Sequence, residues 1–296
     1  MNDKIEASIK SINASNKEWF YRFFEMLEKC DVGQETIDKA LNLILEEGIL
    51  YYKSTMGISS VFTNSIDSKR DIESFFLYCE KLIQEKGKDE FKSFFQRIID
   101  NVSIVFDEKF KDKEKRKRIN IYYLIMREFV LNNPEKVKMV STGTIKYGSM
   151  SIYFEGISIG HITYEEIKAN MKVIEFDDFR TMPGLEKIGL GTYLFTEFCK
   201  KVAEDADEYA VVAWGVMKGR DGEKAYSAWG GFPVRPQVDG GVAQIIEKPL
   251  TEEEYAAAPS SIFYLFTRDV VVENSKRESK RYGIQDVNQT NYGENR

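Results

Sequence analysis

The chain has 296 residues, of which 43% are hydrophobic and 30% charged, and its formal net charge is −6. That composition belongs to globular domains and excludes a disordered chain, and the length suffices for one large domain or two ordinary ones. The negative balance gives no general attraction for nucleic acid or an anionic membrane, so either partner would need a local basic patch.

Up to about residue 133 the apolar residues recur at helical spacing. Ser15-Asn16-Lys17-Glu18 reads as a capping box that opens a helix with Trp19, Phe20, Phe23, Phe24 and Leu27 on one face. A second helix carries Ile37, Ala40, Leu41, Ile44 and Leu45 and ends at Gly48. The stretch from Tyr52 to Asp67, rich in Ser, Thr and Gly, reads as an irregular connection. A third helix holds Ile72, Phe75, Phe76, Cys79, Leu82 and Ile83 up to Gly87, and a fourth holds Phe91, Phe94, Phe95, Ile98 and Ile99. A last one runs from Ile121 to Val130, ahead of Pro134. We read residues 1–134 as an all-α domain whose aromatic stripes are core rather than a ligand box.

After Pro134 the period changes to two. Val137–Lys146, Ser149–Glu155, Ile157–Tyr164 and Met171–Phe179 read as an antiparallel meander. A helix follows over Gly191–Asp205, then a buried strand over Tyr209–Val216 and a short helix capped by Asp221 and running to Trp229. Asp239-Gly240 marks a hairpin turn, and Ile262–Val272 is expected as one long final strand. Residues 275–296 are polar and expected to be a disordered tail. The fold class expected is thus α+β, an all-α domain over 1–134 followed by a mixed, mostly antiparallel sheet with flanking helices over 135–274.

Cys30, Cys79 and Cys199 are an odd number, far apart and each in a helical pattern. They argue for free thiols and against a disulfide framework or a zinc site, so no metal is expected. No apolar run reaches the length of a membrane span, and Met1-Asn2-Asp3-Lys4 does not begin a signal peptide, so the expected location is cytoplasmic. The basic run Lys109–Arg118 is interrupted by Asp112 and Glu114 and reads as a solvated surface.

Chemistry enters between the fourth strand and the helix that follows it. Pro183-Gly184-Leu185-Glu186-Lys187-Ile188-Gly189-Leu190-Gly191-Thr192 places glycines where a backbone can approach a diphosphate, with the N–H groups of Leu190, Gly191 and Thr192 at a helix start. This run resembles the pyrophosphate loop of the GNAT acetyltransferase superfamily. Ala225-Tyr226-Ser227-Ala228-Trp229-Gly230-Gly231-Phe232 resembles a later helix of the same family and follows the expected strand. The resemblance covers roughly 130 residues, a normal domain size, and does not reach the N-terminal helices.

The resemblance implies acetyl-CoA as co-substrate, with Lys187, Ile188, Gly189, Leu190, Gly191 and Thr192 around its diphosphate and the backbone near Thr181 and Met182 along its pantetheine. It implies Tyr226 as the proton donor to the leaving thiolate and Glu175 as the base, with Asp177 and Asp178 as neighbouring candidates. His161, the only histidine, is a further candidate base or an ordinary strand residue. Two departures stand out. Glu186 occupies a place where the family carries Arg or Gln, and Ser227 stands where its catalytic tyrosine falls, one residue after Tyr226.

Two functions follow. The first is N-acetyl transfer to an amine, on a small molecule or a protein. The second is a catalytically silent scaffold that binds another protein, as an inhibitor or assembly factor, or a second copy of itself. No membrane or nucleic-acid partner is expected.

Overall fold

The computed structural model describes residues 3–11, 17–41, 69–109, 121–176, 178–182, 184–205, 209–219, 221–235, 237–239 and 242–277. The expected capping residues Ser15 and Asn16, the connection over 52–67, most of the basic run, the Gly240 turn and the tail beyond 277 lie outside them. The chain divides into two compact units. One comprises Met1–Val137 with Phe154–Ile159 and Met182–Ile188, the other Lys138–Tyr153, Gly160–Thr181 and Gly189–Arg296.

The first unit is helical: α1 (Asp3–Ser11), α2 (Lys17–Lys29), α3 (34–41), α4 (Lys69–Lys86), α5 (Lys88–Lys109) and α6 (Ile121–Asn132). Its core is aromatic, as the helical stripes imply. The fully buried Trp19 stacks on Phe23 at 4.8 Å and meets Phe75 and Tyr122 edge-on. Phe129 stacks on Phe94 at 5.5 Å and meets Tyr78 at 4.7 Å. Each such side chain contributes about 1.5–3 kcal/mol by leaving water. Gly87, at φ 87°, provides the left-handed break between α4 and α5.

A sheet follows in the order β1 (Val137–Gly143), β2 (Tyr147–Phe154), β3 (Ile157–Ile167), β4 (Val173–Phe176), β6 (Ala210–Met217), β10 (Ser261–Phe266) and β7 (Phe232–Val234). The short β5 (Arg180–Thr181) pairs with β3, and β8 (Gln237–Asp239) with β9 (Val242–Gln244) makes a hairpin about the expected Asp239 turn. β3–β4 and β6–β10 are antiparallel and β4–β6 is parallel, so the architecture is α+β with a mixed, mostly antiparallel sheet.

Register sorts the two faces. Phe176, Ala213 and Tyr264 stand in one row, and Glu175, Val212 and Leu265 in the next, so the rows point to opposite faces. The first face meets Phe195 of α7 (Leu190–Asp205) and Tyr226 of α8 (Asp221–Ala228). The second is an aliphatic core of Val173, Ala210, Val212, Val234, Ala243, Ile245 and Leu265.

One expected element is corrected. The strand expected over Ile262–Val272 ends at Phe266, and Arg268–Ser275 is a helix, α10. The valine run over 270–272 has strand propensity, but Thr267 sits at the N-cap position with extended backbone and Asp269 favours the first turn. Packing then decides: α10 lies on α7, Val271 is buried, and Asn274 Nδ2 donates to the carbonyls of Trp229 and Val270, each at 2.8 Å. A short helix, α9 (Glu252–Ala257), was not foreseen. Thr251 and Glu254 form its capping box.

Candidate functional site

The site begins where two parallel neighbours part. β4 and β6 pair from Val173↔Ala210 to Phe176↔Ala213, after which β6 continues to Met217 beside β10 alone. The β4 line turns the other way. Its register against β3 slips by one residue between Tyr164↔Phe176 and His161↔Arg180, the mark of a bulge. A splayed crevice at the carboxyl ends of parallel strands is where open sheets bind ligands.

Hydrogen bonds show which backbone groups the bulge frees. Thr163 N donates to Asp178 O at 3.3 Å and Met182 N to Ile159 O at 2.9 Å. Alternation then turns the N–H and C=O of Phe179 and Thr181 away from β3, toward the side vacated by the splay. Of the two expected pantetheine contacts, Thr181 therefore has open backbone groups, whereas the Met182 N–H is already committed and its side chain is buried.

The turn into α7 is built from left-handed residues: Gly184 at φ 85°, Lys187 at 60° and Gly189 at 94°. Leu185, Ile188 and Leu190 are buried beneath it and Lys187 is exposed. Tyr193 N makes the first helical bond, to Gly189 O at 2.9 Å, so the N–H groups of Leu190, Gly191 and Thr192 precede the ladder. Gly191 packs nothing closer than 3.8 Å to where a Cβ would stand, its neighbours being the rings of Phe179 and Trp229.

Glu186, which stands where the resemblance implies Arg or Gln, is tied into the turn itself. Its carboxylate folds back to accept the Gly184 N–H at 2.8 Å. Arg127 of α6, buried at 5% exposure, donates to the carbonyls of Gly184 at 2.7 Å and Glu186 at 2.8 Å.

Tyr226 packs among Phe176, Trp229, Tyr264 and Phe266. Burial pushes its hydroxyl well above the ordinary tyrosine value, which keeps it protonated. The neighbouring Ser227 is exposed and reaches a network that spacing alone does not announce. Ser227 Oγ lies 3.1 Å from Tyr264 Oη, and Tyr264 and Tyr255 both donate to Glu223 Oε1, at 3.1 and 2.5 Å. For Glu223, burial raises the pKa, but the Tyr255, Gly219 N–H and Tyr264 donors outweigh it and the net shift is downward. Tyr255, held by that carboxylate, is pushed up to about 12.

Glu175 stands on the opposite face of the sheet from Tyr226, directly across from Glu165. Asp178 accepts from Arg180 Nε and approaches His161 Nε2 at 3.2 Å; Asp177 lies outside the described residues. Burial holds His161 below the ordinary histidine value, against the pull of Asp178 and with the help of Arg180. The structure thus brings together Phe179, Gly191, Thr192, Tyr226 and Trp229, and leaves Glu175 on the other face. Glu223, Tyr255 and Tyr264 come from separate elements, and only tertiary pairing assembles them.

No family model matches the chain, and no curated protein does. Solved structures do. A GNAT family acetyltransferase from Elizabethkingia anophelis with acetyl-CoA bound is 9% identical over 45% of this chain and 99% of its own, at a TM-score of 0.32. An acetyltransferase from Streptococcus agalactiae is 15% identical over 57% and 88%, at 0.30. NAA60 of Arabidopsis thaliana, in complex with a bisubstrate analogue, is 11% identical over 57% and 92%, at 0.31. The α+β architecture is read from this chain's own strand order, register slip and parallel β4–β6 pair.

Proposed function

We propose that this protein binds acetyl-CoA and transfers its acetyl group to an amine. The observation that carries the reading is the parting of β4 and β6 after Phe176 and Ala213, with the Phe179 and Thr181 backbone groups turned toward the opening. An extended pantetheine can add to such an open strand edge by hydrogen bonding as a further strand would. The N–H groups of Leu190, Gly191 and Thr192 suit a diphosphate, with Lys187 exposed beside them.

In the transfer step the neutral amine nitrogen attacks the thioester carbon, the C–N bond forms, the C–S bond breaks and sulfur leaves with the electron pair. Tyr226, kept protonated by burial, is the donor assigned to that sulfur. Glu175 would take the ammonium proton through water before the attack, and the proton that nitrogen sheds on forming the amide passes to solvent, from which Tyr226 is reprotonated. Its placement on the face opposite Tyr226 favours a second reading, a silent scaffold that binds a protein partner or another copy of itself. The buried free thiols fit a reducing, cytoplasmic setting.

Titration calorimetry with acetyl-CoA tests the cofactor, using the Gly191→Ala variant as control. A methyl group fits there sterically, so the fold should stand while the diphosphate approach is blocked and affinity drops tenfold or more. Thiol release across a panel of primary amines then separates transferase from scaffold. Absence of heat at millimolar acetyl-CoA would sink the transferase.

A further inference from the structure

We infer that Arg127 is a positioning residue for the turn proposed to bind the anion, through the Gly184 and Glu186 carbonyls that it holds. The inference rests on the cofactor reading above. It concerns a residue of α6, some sixty positions before the motif, in helices that the motif comparison leaves without a role.

Leu185 N donates to Met182 O at 3.1 Å at the start of the turn. Gly184 adopts its left-handed backbone freely, whereas the left-handed Lys187 persists only where surrounding structure over-determines it. Two tethers do so here. The Glu186 carboxylate binds the Gly184 N–H from within the turn, and the Arg127 guanidinium binds the Gly184 and Glu186 carbonyls from below. Arginine suits this because its planar fork offers several donors in fixed geometry and it stays charged when buried. A methyl-lined helix face could fill the same space but could not bind two carbonyls.

Charge follows the same division. The Glu186 carboxylate is turned back and engaged, which makes a carboxylate tolerable at this point of an anion site. Arg127 is 5% exposed, so little solvent screens its charge from the turn whose carbonyls it holds.

The test measures acetyl-CoA and S-acetyl-pantetheine, which keeps the thioester but lacks the diphosphate, by calorimetry and ligand-observed NMR. It uses the full-length wild type with Arg127→Met, Arg127→Lys and Glu186→Gln, each checked by circular dichroism and melting. Arg127→Met is expected to lose tenfold or more for acetyl-CoA and less than twofold for S-acetyl-pantetheine, with Arg127→Lys in between. Glu186→Gln, whose amide oxygen can still accept from Gly184, is expected to bind acetyl-CoA at least as tightly as wild type. Wild-type affinity in the Arg127 variants overturns the inference, as does an equal proportional loss for both ligands. If Arg127→Met does not fold, Arg127→Lys decides by the same criteria. Failure of the wild type to bind acetyl-CoA instead overturns the cofactor reading itself.

Discussion

Ser227 Oγ and Tyr264 Oη lie 3.1 Å apart, and the direction of the hydrogen bond between them is fixed by what lies behind. Glu223 is ionised near neutral pH, so it can only accept, and it receives the Tyr264 proton. That hydroxyl has no second proton, so Ser227 must be the donor to Tyr264. The exposed Ser227 oxygen then offers solvent and ligand only lone pairs. It can receive an N–H but cannot protonate a thiolate.

If transfer occurs, Ser227→Ala and Tyr264→Phe should therefore raise KM for the amine by up to about tenfold, the value of one hydrogen bond. Acetyl-CoA affinity and kcat should change far less. Because the two hydroxyls act as one unit, the double variant should resemble either single one. Steady-state thiol-release kinetics decide it, and a selective fall in kcat would show that Ser227 acts on the leaving group instead.

The lone histidine makes part of the pH dependence attributable to one residue. His161 faces Asp178 and Arg180, and burial holds its pKa below the ordinary value. In the unfolded chain it takes a proton near about 6.5, so as pH falls through that range the unfolded state binds more protons and stability declines. Most carboxylates titrate lower, so the decline from about pH 7 to 5.5 should be largely removed by His161→Gln. Denaturant unfolding at a series of pH values reads this directly. An unchanged slope would assign the effect elsewhere.

Lys187 combines an exposed side chain with a left-handed backbone at φ 60°. That conformation costs a non-glycine residue roughly 1–2 kcal/mol, part of which Lys187→Gly recovers before the entropy of glycine is counted. We expect stability to rise by up to about 1 kcal/mol while acetyl-CoA affinity falls threefold or more. Chemical denaturation and calorimetry on the same variant measure the two quantities. A parallel loss of both would show that Lys187 is structural rather than reserved for an anion.

Local pattern made much of this legible. The helical stripes around Trp19 and Phe75, the meander after Pro134 and the glycine turn before α7 all follow from periodicities of 3.6 and 2 and from residues that tolerate special backbone angles. The C-terminal helix was missed because Val270, Val271 and Val272 favour a strand when read alone, and packing on α7 overrides that preference. The Tyr264–Glu223–Tyr255 network was out of reach for another reason. Its members lie on β10, α8 and α9, and the bulge between Ile262 and Tyr264 shifts the register that a simple alternation would predict. Arg127 likewise shows nothing in sequence that distinguishes it from a surface arginine, and only its burial marks it.

Trp229 was described as a packing residue, stacked on Phe195 at 4.5 Å with its Nε1–H directed to Thr192 Oγ1 at 3.4 Å. An indole whose Nε1–H contacts the first turn of α7 is also a chromophore beside the diphosphate site proposed above. Drawing Thr192 toward a phosphate would remove that contact and change the field across the ring. Its emission should then shift on titration over a background from Trp19 and Trp214, and Trp229→Phe should remove that response. The molecule carries its own optical gauge of occupancy, readable without label or acceptor.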